Sequence, residues 1–200
     1  MRLLLASNNV GKLGELEQLL ADLPIDLVRP VDIGLNLNVD ETCSTYRANA
    51  RRKARAFARE SGLLVLADDS GLEVAALGNW PGVRSARVAG PEAGDLDRRA
   101  MVLARLAAFP GVNRSARFVC AMVLAEGNWL VAEAEGILEG TIGEAPRGDH
   151  GFGYDPIFVP KGANQTLAEL SSEQKNALSH RARAVRILVP VLRMLTSTER

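Results

Sequence analysis

A mixed α/β fold is what this sequence predicts, on three observations. An apolar run at residues 2–6 passes through a polar turn into a segment of helical period. A second apolar run, residues 63–67, is closed by Asp68-Asp69-Ser70-Gly71. Further on, two extended runs are joined by Glu126-Gly127-Asn128, a hairpin that argues against a purely parallel sheet.

Composition bounds the function classes. The 200 residues suffice for one domain with a sizeable core. The 24 basic and 24 acidic residues cancel, so no global field draws the chain to nucleic acid or an anionic membrane, and any anion site is local. Cys43 and Cys120 lie far apart, which predicts free thiols in a reducing compartment. The N-terminal apolar run stops at Ser7-Asn8-Asn9, too short for a signal-peptide core, and no segment is long enough to span a bilayer. A cytoplasmic protein that binds neither membrane nor nucleic acid is expected.

Residues 2–6 read as the first strand. From Lys12, the spacing of Leu13, Leu16, Leu19 and Leu20 predicts a helix that Leu23-Pro24 stops. The turn between them, Ser7, Asn8, Asn9, Val10, Gly11 and Lys12, offers a hydroxyl, amides and a cation where helix N–H groups point outward. A lysine there opposes the macrodipole unless an anion lies between. Two readings stand, a phosphate site and an ordinary exposed turn. It is not a Walker loop, because Leu13 follows the lysine where Ser or Thr would be needed.

Residues 25–29 form a short predicted strand, followed by a loop carrying Asp32, Asp40 and Glu41. A helix is predicted over 45–60. Arg47, Arg51, Arg55 and Arg59 fall on one stripe, a solvated face or, as a competing reading, an RNA-binding surface. Asn49 and Lys53 stack one turn apart beside Phe57, near the buried face. A lysine there is costly unless paired, so Lys53 is either a snorkelling stem or a cation aimed at the same place as Asp68 and Asp69.

The run at 63–67 reads as a buried strand ending in a turn. Adjacent carboxylates at such an end need a cation, a proton or donors. A hard divalent metal serves, and so does a polar terminus that caps a turn. Residues 72–77 read as a separate extended piece and 78–94 as a long loop containing Ser85-Ala86-Arg87. A helix over 95–109 should face Met101, Leu103, Leu106 and Phe109 inward. Strands follow at 116–125, 129–134, 136–142 and 156–159. Between the last two, Gly143, Gly148, Gly151 and Gly153 surround His150, Phe152, Tyr154 and Asp155, which suits either a planar base or a tight turn plugged by a ring.

The C-terminal part is helical, with Ser171 and Gln174 at capping-box spacing and an apolar stripe of Val185, Leu188, Leu192 and Leu195 that Pro190 should kink. On one unbroken helix Lys175, His180 and Arg181 point apart and form a solvated face. A break with Ser179 as N-cap would instead bring His180 and Arg181 to exposed N–H groups.

Taken together and in order, Ser7-x-Asn9-x-x-Lys12, Asn49-Ala50 with Lys53-Ala54, Ala67-Asp68-Asp69-Ser70-Gly71, Ser85-Ala86-Arg87, Gly151-Phe152-Gly153-Tyr154-Asp155-Pro156 and Ser179-His180-Arg181 resemble the inosine triphosphate pyrophosphatase family across nearly the whole chain. The resemblance implies one elongated, two-lobed α/β domain spanning residues 1–200, with a central mixed sheet flanked by helices and an active cleft between the lobes. It implies a homodimer that hydrolyses ITP, dITP and XTP to the monophosphate and pyrophosphate with Mg2+.

On that resemblance, Ser7, Asn8, Asn9, Val10, Gly11 and Lys12 hold phosphate, with Lys53 a further phosphate contact. Asp69 is the proton acceptor and a metal ligand, Asp68 stands beside it, and Ser70 contacts substrate. The second metal carboxylate falls at Asp40 or Glu41, with Glu41 favoured. Phe152, Gly153, Tyr154 and Asp155 form the base loop, and Lys175, His180 and Arg181 contact the nucleotide. The alternative from another class is a catalytically silent nucleotide-binding regulatory module. Three departures from the family pattern, Cys43 for Gly, Arg84 for Tyr and His150 for Gly, bear on loop geometry and dimer contacts rather than on the reaction.

Overall fold

Continuous apolar runs in the strands, rather than alternating ones, mark a sheet covered on both faces. The computed structural model describes residues 1–90 and 92–198. Its elements are β1 (Arg2–Leu5), α1 (Val10–Leu19), β2 (Asp26–Val28), α2 (Tyr46–Ser61), β3 (Leu64–Val74), β4 (Trp80–Pro81), α3 (Asp95–Ala107), β5 (Ser115–Glu126), β6 (Trp129–Ile142), β7 (Phe158–Pro160), α4 (Ser172–Leu178) and α5 (His180–Thr198). The strand order is β2-β1-β3-β5-β6-β7, with β4 on β3. The β2-β1-β3 portion is parallel, whereas β4 on β3 and β7 on β6 are antiparallel. The fold is mixed α/β, as the sequence predicts.

The chain divides into two compact units. The first comprises Met1–Asp69, Cys120–Gly136 and Arg181–Arg200, the second Ser70–Val119 and Ile137–His180. In the first unit, Leu16 and Leu20 at the α1 end and Leu188 and Leu192 of α5 share a core with Leu3, Leu5, Leu64, Leu66, Met122 and Leu124 of the strands. The alternate strand residues Leu4, Val65 and Ala67 are equally buried, as are Ala50, Ala54 and Phe57 of α2. The second unit has its own core of Leu72, Val74, Val102, Leu106, Phe118, Leu138, Ile142 and Phe158.

Several sequence expectations are corrected. Asp68-Asp69-Ser70-Gly71 is no turn: β3 continues through it to Val74, because Leu72 and Val74 enter a second core and the carboxylates are met by side chains without leaving the strand. The two runs at 129–134 and 136–142 are one strand, β6. Gly140 lies inside it because a Cβ there would stand 2.3 Å from the Val159 carbonyl and 2.6 Å from the Phe158 ring. α3 ends at Ala107, so Phe109 falls beyond the helix and is 57% exposed, and the buried face is Val102 and Leu106. The arginine stripe of α2 is a solvated face, as one reading expects: Arg47, Arg51, Arg55 and Arg59 are exposed, with Arg51 in a two-point pair with Glu133 at 2.5 and 2.7 Å and Arg47 3.5 Å from Glu135. Of the two readings of the C-terminal helix, the broken one holds: Ser179, with extended backbone, separates α4 from α5, and it is the solvated-face reading that fails, since Lys175, His180 and Arg181 are buried. The Ser171–Gln174 capping box forms as expected.

Candidate active site

In the first unit the turn after β1 is organised by its own polar side chains. The Asn9 amide donates to Ser7 Oγ at 3.2 Å, and Asn9 caps α1 by accepting from the Lys12 amide at 3.0 Å. Asn8, Asn9 and Val10 are exposed, with Ser7, Gly11 and Lys12 half-buried, so the first turn of a ten-residue helix presents its amides beside a lysine. Lys12 Nζ donates to Asp68 Oδ1 at 2.5 Å and to the Asp68 carbonyl at 3.3 Å.

Lys53 resolves as a buried, directed cation. Its Nζ lies 2.5 Å from Glu41 Oε1, donates to the Asp68 carbonyl at 2.7 Å and stands 3.9 Å from Asp69 Oδ1. Asp69 Oδ2 accepts from Asn49 Nδ2 at 2.9 Å, and Asn49 Oδ1 accepts from the Cys43 amide at 3.0 Å. Buried Asn49 thus ties Asp69 to the loop that carries Glu41. The contact at Cys43 is made by its backbone, and Cys43 is not among the positive-φ residues, so cysteine is tolerated where the family usually has glycine.

The two adjacent acids have opposite fates, because consecutive strand residues face opposite sides. Burial alone would raise Asp68, but the Arg181 guanidinium and the Lys12 ammonium hold it well below the usual carboxylate range. Arg181 Nε donates to Asp68 Oδ2 at 2.8 Å, Arg181 Nη1 pairs with Glu15, and Cys120 Sγ lies 3.3 Å from Asp68 Oδ2. Arg181 is 1% exposed and Asp68 fully buried. Asp69, in contrast, is raised: burial outweighs the pull of Lys53 and the Asn49 hydrogen bond, and Glu41 adds to the rise.

The second unit assembles the loop around Phe152. The Phe152 amide donates to Asp155 Oδ2 at 2.9 Å, the same oxygen pairs with Lys175 Nζ, and that ammonium sits 4.9 Å from the Phe152 ring centroid. Gly151, at φ +74°, has no room for a side chain, since a Cβ would meet the Asp155 carboxylate at 2.2 Å. Tyr154 Oη donates to the Ser85 carbonyl at 2.9 Å, and Ser85 Oγ accepts from the Leu72 amide at 2.9 Å, which accounts for the serine of Ser85-Ala86-Arg87. His180 stacks on Phe118 with ring centroids 4.7 Å apart. Arg84 and His150 are both exposed.

The structure therefore brings Lys12, Lys53, Glu41, Asp68, Asp69 and Arg181 together in one unit, and Phe152, Gly153, Tyr154, Asp155, Lys175 and His180 in the other. Arg181 is engaged by Asp68 and Glu15. Asp40 is exposed, whereas Glu41 faces Lys53. Sequence reasoning gave no role to Asn49, Glu15 or Cys120. Helical spacing contained a signal for the first two, one turn before Lys53 and three residues after Lys12, and none for the third.

The carboxylates fit magnesium on their own chemistry. Among the described residues no group of three or more His, Cys, Asp or Glu could hold a metal. Magnesium needs fewer protein ligands, since it is usually held by one or two carboxylates together with substrate phosphates and water. Glu41 and Asp69 both approach the Lys53 ammonium, and Asp69 is an anion that its burial disfavours and a further cation would relieve.

Comparison with known proteins agrees over the whole chain. The sequence profile described as the Ham1 family matches residues 3–191. A dITP/XTP pyrophosphatase of Prochlorococcus marinus is 45% identical over 194 residues, covering 96% of this chain and 94% of the relative. One of Streptomyces coelicolor is 46% identical over 196 residues, covering 97% and 98%. Among solved structures, a HAM1 protein from Coxiella burnetii superposes with a TM-score of 0.86 at 43% identity, covering 96% of this chain and 98% of that one.

Proposed function

The chain belongs to the Ham1 family, and from that premise we propose that it hydrolyses dITP, ITP and XTP to the nucleoside monophosphate and pyrophosphate. The observation that carries the reading is the Glu41–Lys53–Asp69 cluster braced by Asn49, an acid and a cation fixed beside each other in a buried site. A regulatory module that only bound nucleotide would have no use for a carboxylate kept against its own burial.

Water adds to the α-phosphorus and the bond to the bridging oxygen of the β-phosphate breaks, releasing pyrophosphate. Asp69 orients the water and accepts its proton. Lys12, Lys53 and the first-turn amides of α1 hold the triphosphate and stabilise charge as it moves onto the leaving pyrophosphate. Mg2+, held by Asp69 and Glu41, would neutralise phosphate charge. Asp40, being exposed, contributes at most to the surroundings of that site.

Phe152 provides the ring on which a purine stacks, with Lys175, Asp155 and His180 as polar partners. A 6-oxo group accepts where adenine's amino group donates, so a buried donor favours hypoxanthine and xanthine and is left unpaired by adenine. Arg181 also bears on Lys12 through Asp68. Residues 1–200 work as one nucleoside triphosphate pyrophosphatase domain, in a homodimer, in the cytoplasm. Among the described residues no helix is long and apolar enough to cross a membrane. The test is a comparison of ITP, XTP, dITP, ATP and GTP with monophosphate and pyrophosphate both quantified, with and without EDTA. Magnesium-dependent pyrophosphate release from the first three is expected; orthophosphate as the primary product, or equal rates on ATP, overturns the reading.

A further inference from the structure

We propose that Asp95, the first residue of α3, is a positioning residue that holds Phe152 in place through the backbone amide of Gly153. The inference rests on the base-loop reading above. Two successive amides on either side of the Phe152 α-carbon are each held by a carboxylate. The Phe152 amide donates to Asp155, three residues on, and the Gly153 amide donates to Asp95 Oδ2 at 2.7 Å, across 58 residues of chain.

The two contacts differ in what they fix. The turn closed by its own Asp155 is tied through the same carboxylate oxygen to Lys175 of α4. The bond to Asp95 sets where that turn stands relative to α3.

Asp95 is itself immobilised. Its Oδ1 accepts from Arg98 Nη1 at 2.8 Å, Arg98 Nη2 donates to the Ala93 carbonyl at 2.6 Å, and Asp97 Oδ2 caps the helix by accepting from the Gly94 amide at 2.8 Å. Other tethers hold the ends of the loop: the Arg147 amide on the Pro156 carbonyl at 2.8 Å, the His150 amide on the Ala168 carbonyl at 3.0 Å and Tyr154 Oη on Ser85. A cavity of about 460 Å³ is bordered by Asp95, Leu96 and Arg99 of α3 and by the loop from Pro146 to Phe152, so a released loop has space to enter.

On this proposal the stacked base is held alike in bound substrate and transition state, the Phe152 ring touching no reacting atom. Loosening that hold raises KM and leaves kcat nearly unchanged. Asp95→Ala is expected to raise KM for ITP about tenfold with kcat within about twofold, and to narrow the preference for ITP over ATP. Asp95→Asn keeps one acceptor for the Gly153 amide but turns an NH2 donor toward Arg98, so its KM should fall between those of the parent and Asp95→Ala.

Hydrogen exchange of the nucleotide-free chain reads the same contact without substrate. The Gly153 amide should exchange about tenfold faster in Asp95→Ala and by a smaller factor in Asp95→Asn, with the Phe152 amide, held by Asp155, as the internal reference. Unchanged exchange in Asp95→Ala, faster exchange with an unchanged KM, or an Asp95→Asn variant as impaired as Asp95→Ala overturns the proposal. A parent chain inactive on ITP instead refutes the base-loop reading, and the exchange measurement tells that failure apart.

Discussion

At Asp69, burial raises the carboxyl above its ordinary range even with a lysine and an asparagine amide at hand. The sign of the consequence follows from linkage. A carboxyl raised in the folded state favours folding while protonated, and that contribution is lost as pH rises through the folded pKa. Asp68 behaves in the opposite sense: its lowered pKa contributes stability above the unfolded value near 3.9, which is lost as pH falls through the folded pKa. Asp69→Asn should therefore stabilise the chain at pH 7 in EDTA by about 1 kcal/mol, or ~2–4 °C in Tm, while lowering pyrophosphate release by about 10²–10⁴-fold. The stability gain should shrink at acidic pH, where Asp69 in the parent is itself protonated. A variant that is less stable than the parent at neutral pH, or one that keeps its turnover, refutes the assignment of Asp69 as a strained general base.

At the scale of elements, Arg181 sits in the first turn of α5, where a cation opposes the helix dipole. Asp68 of β3 and Glu15 of α1 compensate it, and Asp68 in turn holds Lys12 at the start of α1. One buried network thus joins three elements. Removing one partner of such a pair strands a charge, at a cost of about 3–5 kcal/mol. Arg181→Met should lower Tm by roughly 10 °C or more. Pairing it with Asp68→Asn should cost less than the two single changes added together, because the second removes the stranded charge. Strict additivity in thermal melts, read against the parent, would show that Arg181 and Asp68 do not act as a pair. This network also marks where sequence stops informing. The Ser171 capping box and the turn from Ser7 to Lys12 were legible because their partners lie within six residues. Lys53 was legible as an anomaly on a buried face, but its partners Glu41 and Asp69 were not ordered by spacing alone. Glu15 and Arg181 are separated by 166 residues, and periodicity supplies a direction on a helix, not a partner across the fold. For the same reason the strand breaks expected after residue 67 and at residue 135 were misplaced: local turn chemistry pointed to them, and burial in a second core overrode it.

For the whole molecule, the balance of charge constrains partners more than any single motif does. The 24 acidic and 24 basic residues leave no net field, and the basic stripe on α2 is partly neutralised within its own unit. The hydrogen bond from Arg51 holds Glu133 below the usual carboxylate range, and Arg47 approaches Glu135. Arg55, which pulls on Glu133 by charge only, and Arg59 are then the two most available to phosphates. Single-stranded RNA loses affinity with salt at a slope of about −0.7 per phosphate neutralised, so two available arginines predict a slope near −1.4 and four predict about −2.8. Binding of a generic RNA to this chain should accordingly be at or beyond the weak end of non-specific affinity, about 10⁻⁴ M at physiological salt, with the shallow slope. Titration of a labelled oligonucleotide across salt concentrations measures both quantities. A slope near −2.8 with micromolar affinity would mean that the glutamates of β6 release the stripe on contact, and would make α2 a nucleic-acid surface after all.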